Sequence, residues 1–192
     1  EVLSEKGINT TNELEKDFEE AQKAHQEKSR TASVGLFKGG LADTSDMSVK
    51  YHTTTHLLLA TLRKILGDQI YQKGSNITPE RLRFDYPSDE KLTPEQVKQV
   101  EDMINEQIQK ELPITYEELP KEEALKLVPY AAFSEKYGDV VKVYYIGDRS
   151  NPYSVEICNG PHVSNTKELG KFRIVKQESV AAGVKRIKAV LE

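Results

Sequence analysis

Two short segments more than a hundred residues apart limit what this chain can fold into. The first is Tyr51-His52-Thr53-Thr54-Thr55-His56-Leu57-Leu58-Leu59; the second is Cys158-Asn159-Gly160-Pro161-His162. The sequence contains four histidines and one cysteine, and these segments take three of the histidines and the cysteine, leaving only His25 outside. His52 and His56 are four residues apart, so on a helix both imidazoles leave the same face, one turn from each other. Cys158 and His162 share that spacing. Gly160 and Pro161 between them oppose an ordinary helix and predict a tight loop that turns both side chains inward. Two imidazoles, a thiolate and a third imidazole form a four-ligand set that suits zinc, provided the fold brings the segments together. Either pair alone would be weak, because histidines at helical spacing are common on polar faces and a single cysteine is often a small buried apolar residue. The conjunction is what points to a metal. A protease of the His-Glu-x-x-His type is excluded, since Thr53 stands where that motif needs its general base.

The chain has 192 residues, 37% hydrophobic and 30% charged, with no Trp and a net charge of −4. That suffices for one domain with a sizeable core, or a domain with an appendage. No apolar run approaches the length needed to cross a bilayer, so no membrane segment is expected. One cysteine cannot form an internal disulfide and no signal-peptide pattern opens the sequence, so a reducing, cytoplasmic setting is expected. The start at Glu1 without an initiator Met, and the end at Glu192 within a basic, apolar-patterned segment, suggest a piece of something larger.

Residues 1–33 read as a charged helical linker. Thr10, Thr11 or Asn12 could cap it, and Leu14, Phe18, Ala21 and His25 make a thin stripe. Its eight acidic and five basic side chains give −3, usual for a solvated connector. From Val34 the composition changes, and the glycines of Val34-Gly35-Leu36-Phe37-Lys38-Gly39-Gly40-Leu41-Ala42-Asp43 predict a strand and turn with close backbone approach. Residues 34–192 are therefore read as the main domain. Thr44-Ser45-Asp46 offers caps for the histidine helix, which points Leu58, Leu62, Ile65 and Leu66 inward and stops at Gly67.

Gln69 to Ile77 and Leu82 to Tyr86 alternate like the strands of a hairpin. Thr93-Pro94-Glu95-Gln96 combines a capping residue, a first-turn proline and the glutamine of a capping box, with Val97, Val100, Ile104 and Ile108 as the buried stripe of the helix that follows. Strands are expected at Ile114 to Tyr116, Val140 to Ile146, Ser154 to Ile157, Lys171 to Val175 and Val184 to Val190, with a short helix near Lys121 to Leu127. The sum is an α+β fold with a mainly antiparallel sheet packed with helices. From Lys167 to Glu192 there are seven basic and three acidic residues, a net of +4, so the remainder of the chain holds −8. A basic strand pair of this kind could accept a nucleic-acid backbone, although composition alone favours a solvated sheet face.

The motifs Phe37-Lys38-Gly39-Gly40-Leu41-Ala42-Asp43, His52-Thr53-Thr54-Thr55-His56-Leu57-Leu58, Gln72-Lys73-Gly74-Ser75, Arg83-Phe84-Asp85, Cys158-Asn159-Gly160-Pro161-His162-Val163 and Ala181-Ala182-Gly183-Val184-Lys185-Arg186-Ile187 occur in the order seen in the editing domain of alanyl-tRNA synthetases. The chain resembles that family over about residues 34–192, and residues 1–33 resemble the linker that precedes editing. The resemblance implies a class II synthetase-type editing domain that hydrolyses alanine tRNA mischarged with serine or glycine. It implies zinc held by His52, His56, Cys158 and His162, with Thr55 and Gln72 contacting the amino acid to favour serine over alanine. The partners implied are the acceptor end of alanine tRNA carrying a wrong amino acid and the rest of the synthetase chain. The ligase active site is not expected here, since nothing resembles its nucleotide-binding motifs. Asn159 and Pro161 depart from the family's usual Cys-Gly-Gly-Thr-His. A proline before the last histidine also occurs in the related editing domain of threonyl-tRNA synthetase, so editing of threonine tRNA is the nearest alternative. A non-catalytic, zinc-stabilised tRNA-binding module is another.

Overall fold

The computed structural model describes residues 45–128, 131 and 138–192. The expected linker helix over 1–33 and the glycine-rich strand and turn over Val34 to Asp43 lie outside the described residues. Among the described residues there are three helices and seven strands, in the order α1 (Asp46–Leu66), β1 (Gly74–Thr78), β2 (Arg81–Pro87), α2 (Pro94–Gln109), β3 (Ile114–Pro120), α3 (Lys121–Leu127), β4 (Val140–Ile146), β5 (Ser154–Ile157), a 3-10 turn (Thr166–Leu169), β6 (Phe172–Ala181) and β7 (Val184–Leu191). Every strand pairing is antiparallel. One sheet has the order β1-β2-β7-β6 and the other β3-β4-β5. The α+β expectation holds.

Local chemistry places the helix ends. Ser45 caps α1, its hydroxyl accepting from the Ser48 N–H, and Gly67 ends it at φ 109°, a backbone setting that a side chain disfavours. Thr93 and Gln96 close the expected capping box on α2, each side chain accepting from the other's backbone N–H. Val100, Ile104 and Ile108 of α2 are buried as its period requires, while Val97 packs at the margin of the core. On α1, Leu58 and Leu62 are buried; Ile65 and Leu66 are only partly so.

The core lies between α1, α2 and the inner face of the four-stranded sheet, where Leu82, Phe84 and Tyr86 of β2 and Ile187 and Ala189 of β7 meet Leu57, Leu58 and Ile104. These positions alternate with outward-facing charged residues, as the pleat demands. The first hairpin strand begins at Gly74 rather than Gln69. Gln69 instead donates its amide to the Leu66 carbonyl beyond α1, and the Lys73 N–H donates to the Asp85 carbonyl to open the ladder. The β6 strand is longer than the expected Lys171 to Val175, with register shifts between Ile174 and Lys176 and between Ser179 and Ala181.

Two substitutions test the core and the caps. Phe84→Ala, at a fully buried position, is expected to cost about 3–5 kcal/mol, and Thr93→Ala about 1 kcal/mol. Urea denaturation of the two variants would measure both; equal, small losses would contradict this assignment of the core.

Candidate metal centre

Helix α1 is unusual in being buried almost continuously from Tyr51 to Leu62 while carrying His52, Thr53, Thr54, Thr55, His56 and Thr61. A buried hydroxyl needs a partner. Each threonine finds one on its own helix: Thr53, Thr54, Thr55 and Thr61 donate to the carbonyls of Val49, Lys50, Tyr51 and Leu57 at 3.2, 2.9, 2.9 and 2.7 Å. The helix can therefore enter the interior and bring its polar residues with it.

The second segment arrives from β5. The Cys158 N–H donates to the Lys142 carbonyl on β4, and the chain then turns through Asn159, Gly160 and Pro161, with φ 65° at Gly160 and a cis Gly160–Pro161 peptide. A Cβ on Gly160 would stand 2.5 Å from the Tyr144 hydroxyl, so only glycine fits this approach. The loop folds back over α1, and the four expected ligand atoms, one from each of His52, His56, Cys158 and His162, lie within 4.8 Å of one another. The imidazole of His162 stacks on His52 with centroids 4.3 Å apart and meets the Tyr144 ring edge-on at 4.4 Å.

Hydrogen bonding fixes two of the tautomers. His52 Nδ1 lies 3.0 Å from the Pro161 carbonyl, which can only accept, so Nδ1 carries the proton and Nε2 presents a lone pair 3.2 Å from Cys158 Sγ. Thr53 settles His162. Its hydroxyl proton goes to Val49, and its oxygen accepts from the Val163 N–H at 3.2 Å. The 3.2 Å approach of His162 Nδ1 must therefore be a donation by Nδ1–H, which leaves Nε2 of His162 free. Nε2 of His162 and Nε2 of His56 are buried with no hydrogen-bond partner. Two such orphans cost about 1–3 kcal/mol each. A cation at the centre of the cluster would accept both lone pairs.

The electrostatics agree with that fit. Burial lowers His52 to about 4. Burial first, and then the neighbouring imidazole charges, hold His56 and His162 well below the usual histidine range. Burial also pushes the Cys158 thiol up to about 12. The unliganded cluster is thus three neutral imidazoles and a protonated thiol, with three nitrogens and one sulfur available, a donor set that suits zinc among divalent ions. Beside it, Glu156 forms a 2.6 Å ion pair with Arg63, which also donates to the Ile70 carbonyl. Burial pushes the Glu156 carboxyl up to about 7 against the pull of Arg63.

The other two expected site residues stand differently. Thr55 lies on α1 between the two histidines, buried, with its hydroxyl donating to Tyr51. Gln72 is half-buried just ahead of β1 and donates its amide to the Ser75 hydroxyl at 3.0 Å. Sequence reasoning misses Thr53 and Tyr144. Thr53 is visible there only as the absence of a glutamate, and nothing in the pattern of β4 singles out Tyr144.

A helix and a distant loop thus converge on a His, His, Cys, His cluster. Residues 141–188 match the family described as threonyl and alanyl tRNA synthetase second additional domain. Among curated proteins, the alanine–tRNA ligase of Treponema denticola is 53% identical over 192 residues, all of this chain and 31% of the relative. That of Treponema pallidum is 49% identical over 175 residues, 91% of the chain and 28% of the relative, and that of Borrelia hermsii 48% over 174 residues, 91% and 29%. The chain thus matches an alanyl-tRNA synthetase editing-domain fragment and spans about a third of the length of these relatives.

Two measurements probe the centre. Because the imidazoles are already neutral between about pH 6 and 8, uptake of a divalent cation is expected to release one proton, from Cys158, and apparent affinity should rise about tenfold per pH unit. Release of several protons would contradict the neutral cluster. Thr53→Val is expected to weaken cation affinity by about 10–100-fold, read by competition with a chromophoric chelator, because His162 loses the group that orients it. Thr54→Val, which removes a hydroxyl bonded only to Lys50, should leave affinity unchanged.

Proposed function

We propose that this chain hydrolyses the aminoacyl ester of alanine tRNA wrongly charged with serine or glycine, as the editing part of an alanine–tRNA ligase. The observation that carries the reading is the pair of orphaned Nε2 atoms within a His, His, Cys, His cluster of this family. In this reading His52, His56, Cys158 and His162 hold zinc, residues 34–192 form the editing domain and residues 1–33 the linker to the rest of the synthetase. When bound, zinc would supply positive charge to orient and polarise an ester or a water.

The remaining work falls to the chain's own side chains. An aminoacyl ester is already activated, so its hydrolysis asks for positioning and water placement more than for a strong nucleophile. Among the described residues, the carboxylate beside the cluster, Glu156, is committed to Arg63 and is not offered as a base. Thr55 gives its proton to Tyr51 and keeps lone pairs that can accept from the hydroxyl of a serine substrate; Gln72 would contact the amino acid from the edge of β1. Alanine lacks that hydroxyl and would leave the Thr55 lone pairs unmatched, which is the physical basis for preferring serine to alanine; glycine, which has no hydroxyl either, is not selected by this contact. The alanine–tRNA ligase relatives favour alanine tRNA over threonine tRNA. No helix among the described residues is long and apolar enough to cross a membrane, and a cytoplasmic setting follows from the proposed role in protein synthesis.

The test is deacylation of seryl- and alanyl-esters of the same alanine tRNA by the zinc-loaded chain, with Cys158→Ala and Thr55→Val in parallel. Serine is expected to be released in preference to alanine. Cys158→Ala should abolish release, and Thr55→Val should reduce the preference for serine by about tenfold or more. A folded, zinc-loaded chain that releases neither amino acid would sink hydrolysis and leave a tRNA-binding module with structural zinc.

A further inference from the structure

The outer face of the four-stranded sheet carries more positive charge than its own carboxylates neutralise. Antiparallel register sets the residues in rows. Arg83 on β2 lies opposite Lys188 on β7, which lies opposite Lys176 on β6, so three cations stand side by side across three strands. The next row is Asp85, Arg186 and Glu178, and Arg81 extends the face along β2. Like charges directly opposite one another in a sheet are destabilising. The row is held by Glu178 beside Lys176 and Lys188 and, more loosely, by Asp85 near Arg83.

The internal pairing falls short. Asp85 is gripped by Arg186 through two bonds of 2.7 and 2.8 Å, and Arg83 reaches the same carboxylate only at 3.7 Å. Glu178 serves both Lys176 and Lys188, at 2.7 and 3.0 Å. Arg81 donates to a neutral acceptor, Asn76 Oδ1, at 3.2 Å. Among the described pairings, five cations thus share two carboxylates, Asp85 and Glu178. Nη1 of Arg81 and Nε of Arg83 are buried without any partner, so neither guanidinium is saturated within the protein. Burial lowers Arg83, Asp85 pulls it back up in part, and the neighbouring Arg186 and Arg81 lower it again. Helices α1 and α2 pack on the opposite face, and the side chains of Arg83, Arg186 and Lys188 remain 28%, 24% and 29% accessible and that of Lys176 60%.

We infer that this sheet face, through Arg81, Arg83, Lys176 and Lys188, binds the phosphate backbone of the substrate RNA. The inference rests on the tRNA-deacylase reading above. Arginine and lysine in a row neutralise successive phosphates without reading sequence, so this face supplies affinity and the metal centre supplies selectivity. Asp85 is the organiser of the face. It fixes Arg186 by a fork and leaves Arg83 loosely held, able to turn outward.

The probe is a deacylated RNA minihelix with an acceptor stem and single-stranded CCA end, titrated against the zinc-loaded chain at several salt concentrations. Arg81→Gln/Lys176→Gln/Lys188→Gln is expected to weaken binding about tenfold or more at low salt, and to make the slope of log affinity against log salt shallower by about 1 for each phosphate no longer neutralised. Lys98→Gln/Lys110→Gln/Lys126→Gln removes the same charge from exposed helical positions and should change affinity by less than about twofold. The single variant Lys176→Gln, at the most exposed position of the row, guards against misfolding and should show a smaller loss in the same direction. Equal weakening by the two triple variants, or no binding by the unaltered chain at low salt, would overturn the assignment. Binding through this face by a chain that releases no amino acid would instead remove the deacylase reading and leave the RNA surface standing.

Discussion

The hydrogen bond from His52 Nδ1 to the Pro161 carbonyl joins groups 109 residues apart in sequence, and much of the site depends on it. It docks the loop after β5 onto α1, sets the tautomer of His52, and aims its second nitrogen at Cys158. Thr53 repeats the device one residue along, holding His162 and the Val163 N–H with one oxygen. A buried helix can offer such bonds only if its other polar groups are already satisfied, and the back-bonded threonines achieve this. What looks in sequence like a run of poor helix formers is a way of carrying hydroxyls into a dry interior.

Much of this is legible in the residues. The pairing of His52 with His56 and of Cys158 with His162 foretells the cluster, because side-chain spacing on a helix and the turn chemistry of Gly-Pro are local properties. The capping box at Thr93 and Gln96 and the strands Val140–Ile146 and Ser154–Ile157 follow for the same reason. The β6 strand runs past the expected end at Val175 because its two register shifts break the alternation that marks a strand, leaving Val175 and Val180 exposed. The start of β1 falls later than the pattern predicts because Gln69 and Ile70, although they continue the alternation, spend their polar groups on closing α1. Tautomers are out of reach of sequence. They follow from which carbonyl or hydroxyl stands against each imidazole, and only the tertiary fold decides that.

The domain divides its charge between two environments. Around the cluster, burial wins over ionisation and keeps imidazoles and thiol neutral; the one adjacent ion pair, Arg63 with Glu156, is strained by the same desolvation, and removing either partner would strand a buried charge. On the outer sheet face water is near, and the arginines and lysines stay charged and crowded. The basic strand pair evident in composition is therefore neither a uniformly solvated surface nor part of the metal centre. Its residues are sorted by the register into a cationic row and an alternating one, a distinction that a net charge of +4 over a segment cannot express.

The sheet order β1-β2-β7-β6 puts the strand that follows every other described element next to the centre, with β2 on one side and β6 on the other. During synthesis the β1-β2 hairpin, α1, α2 and the whole β3-β4-β5 sheet emerge from the ribosome before Val184–Leu191 exists. Until then β2 presents an unpaired edge, and the apolar face built on Leu82 and Phe84 lacks Ile187 and Ala189. Closure of the larger sheet is necessarily a late event made of long-range pairings, which fold slowly and leave such edges open to other chains. The nascent polypeptide therefore passes through a stage in which both segments of the candidate metal centre are already made while the larger sheet is unfinished.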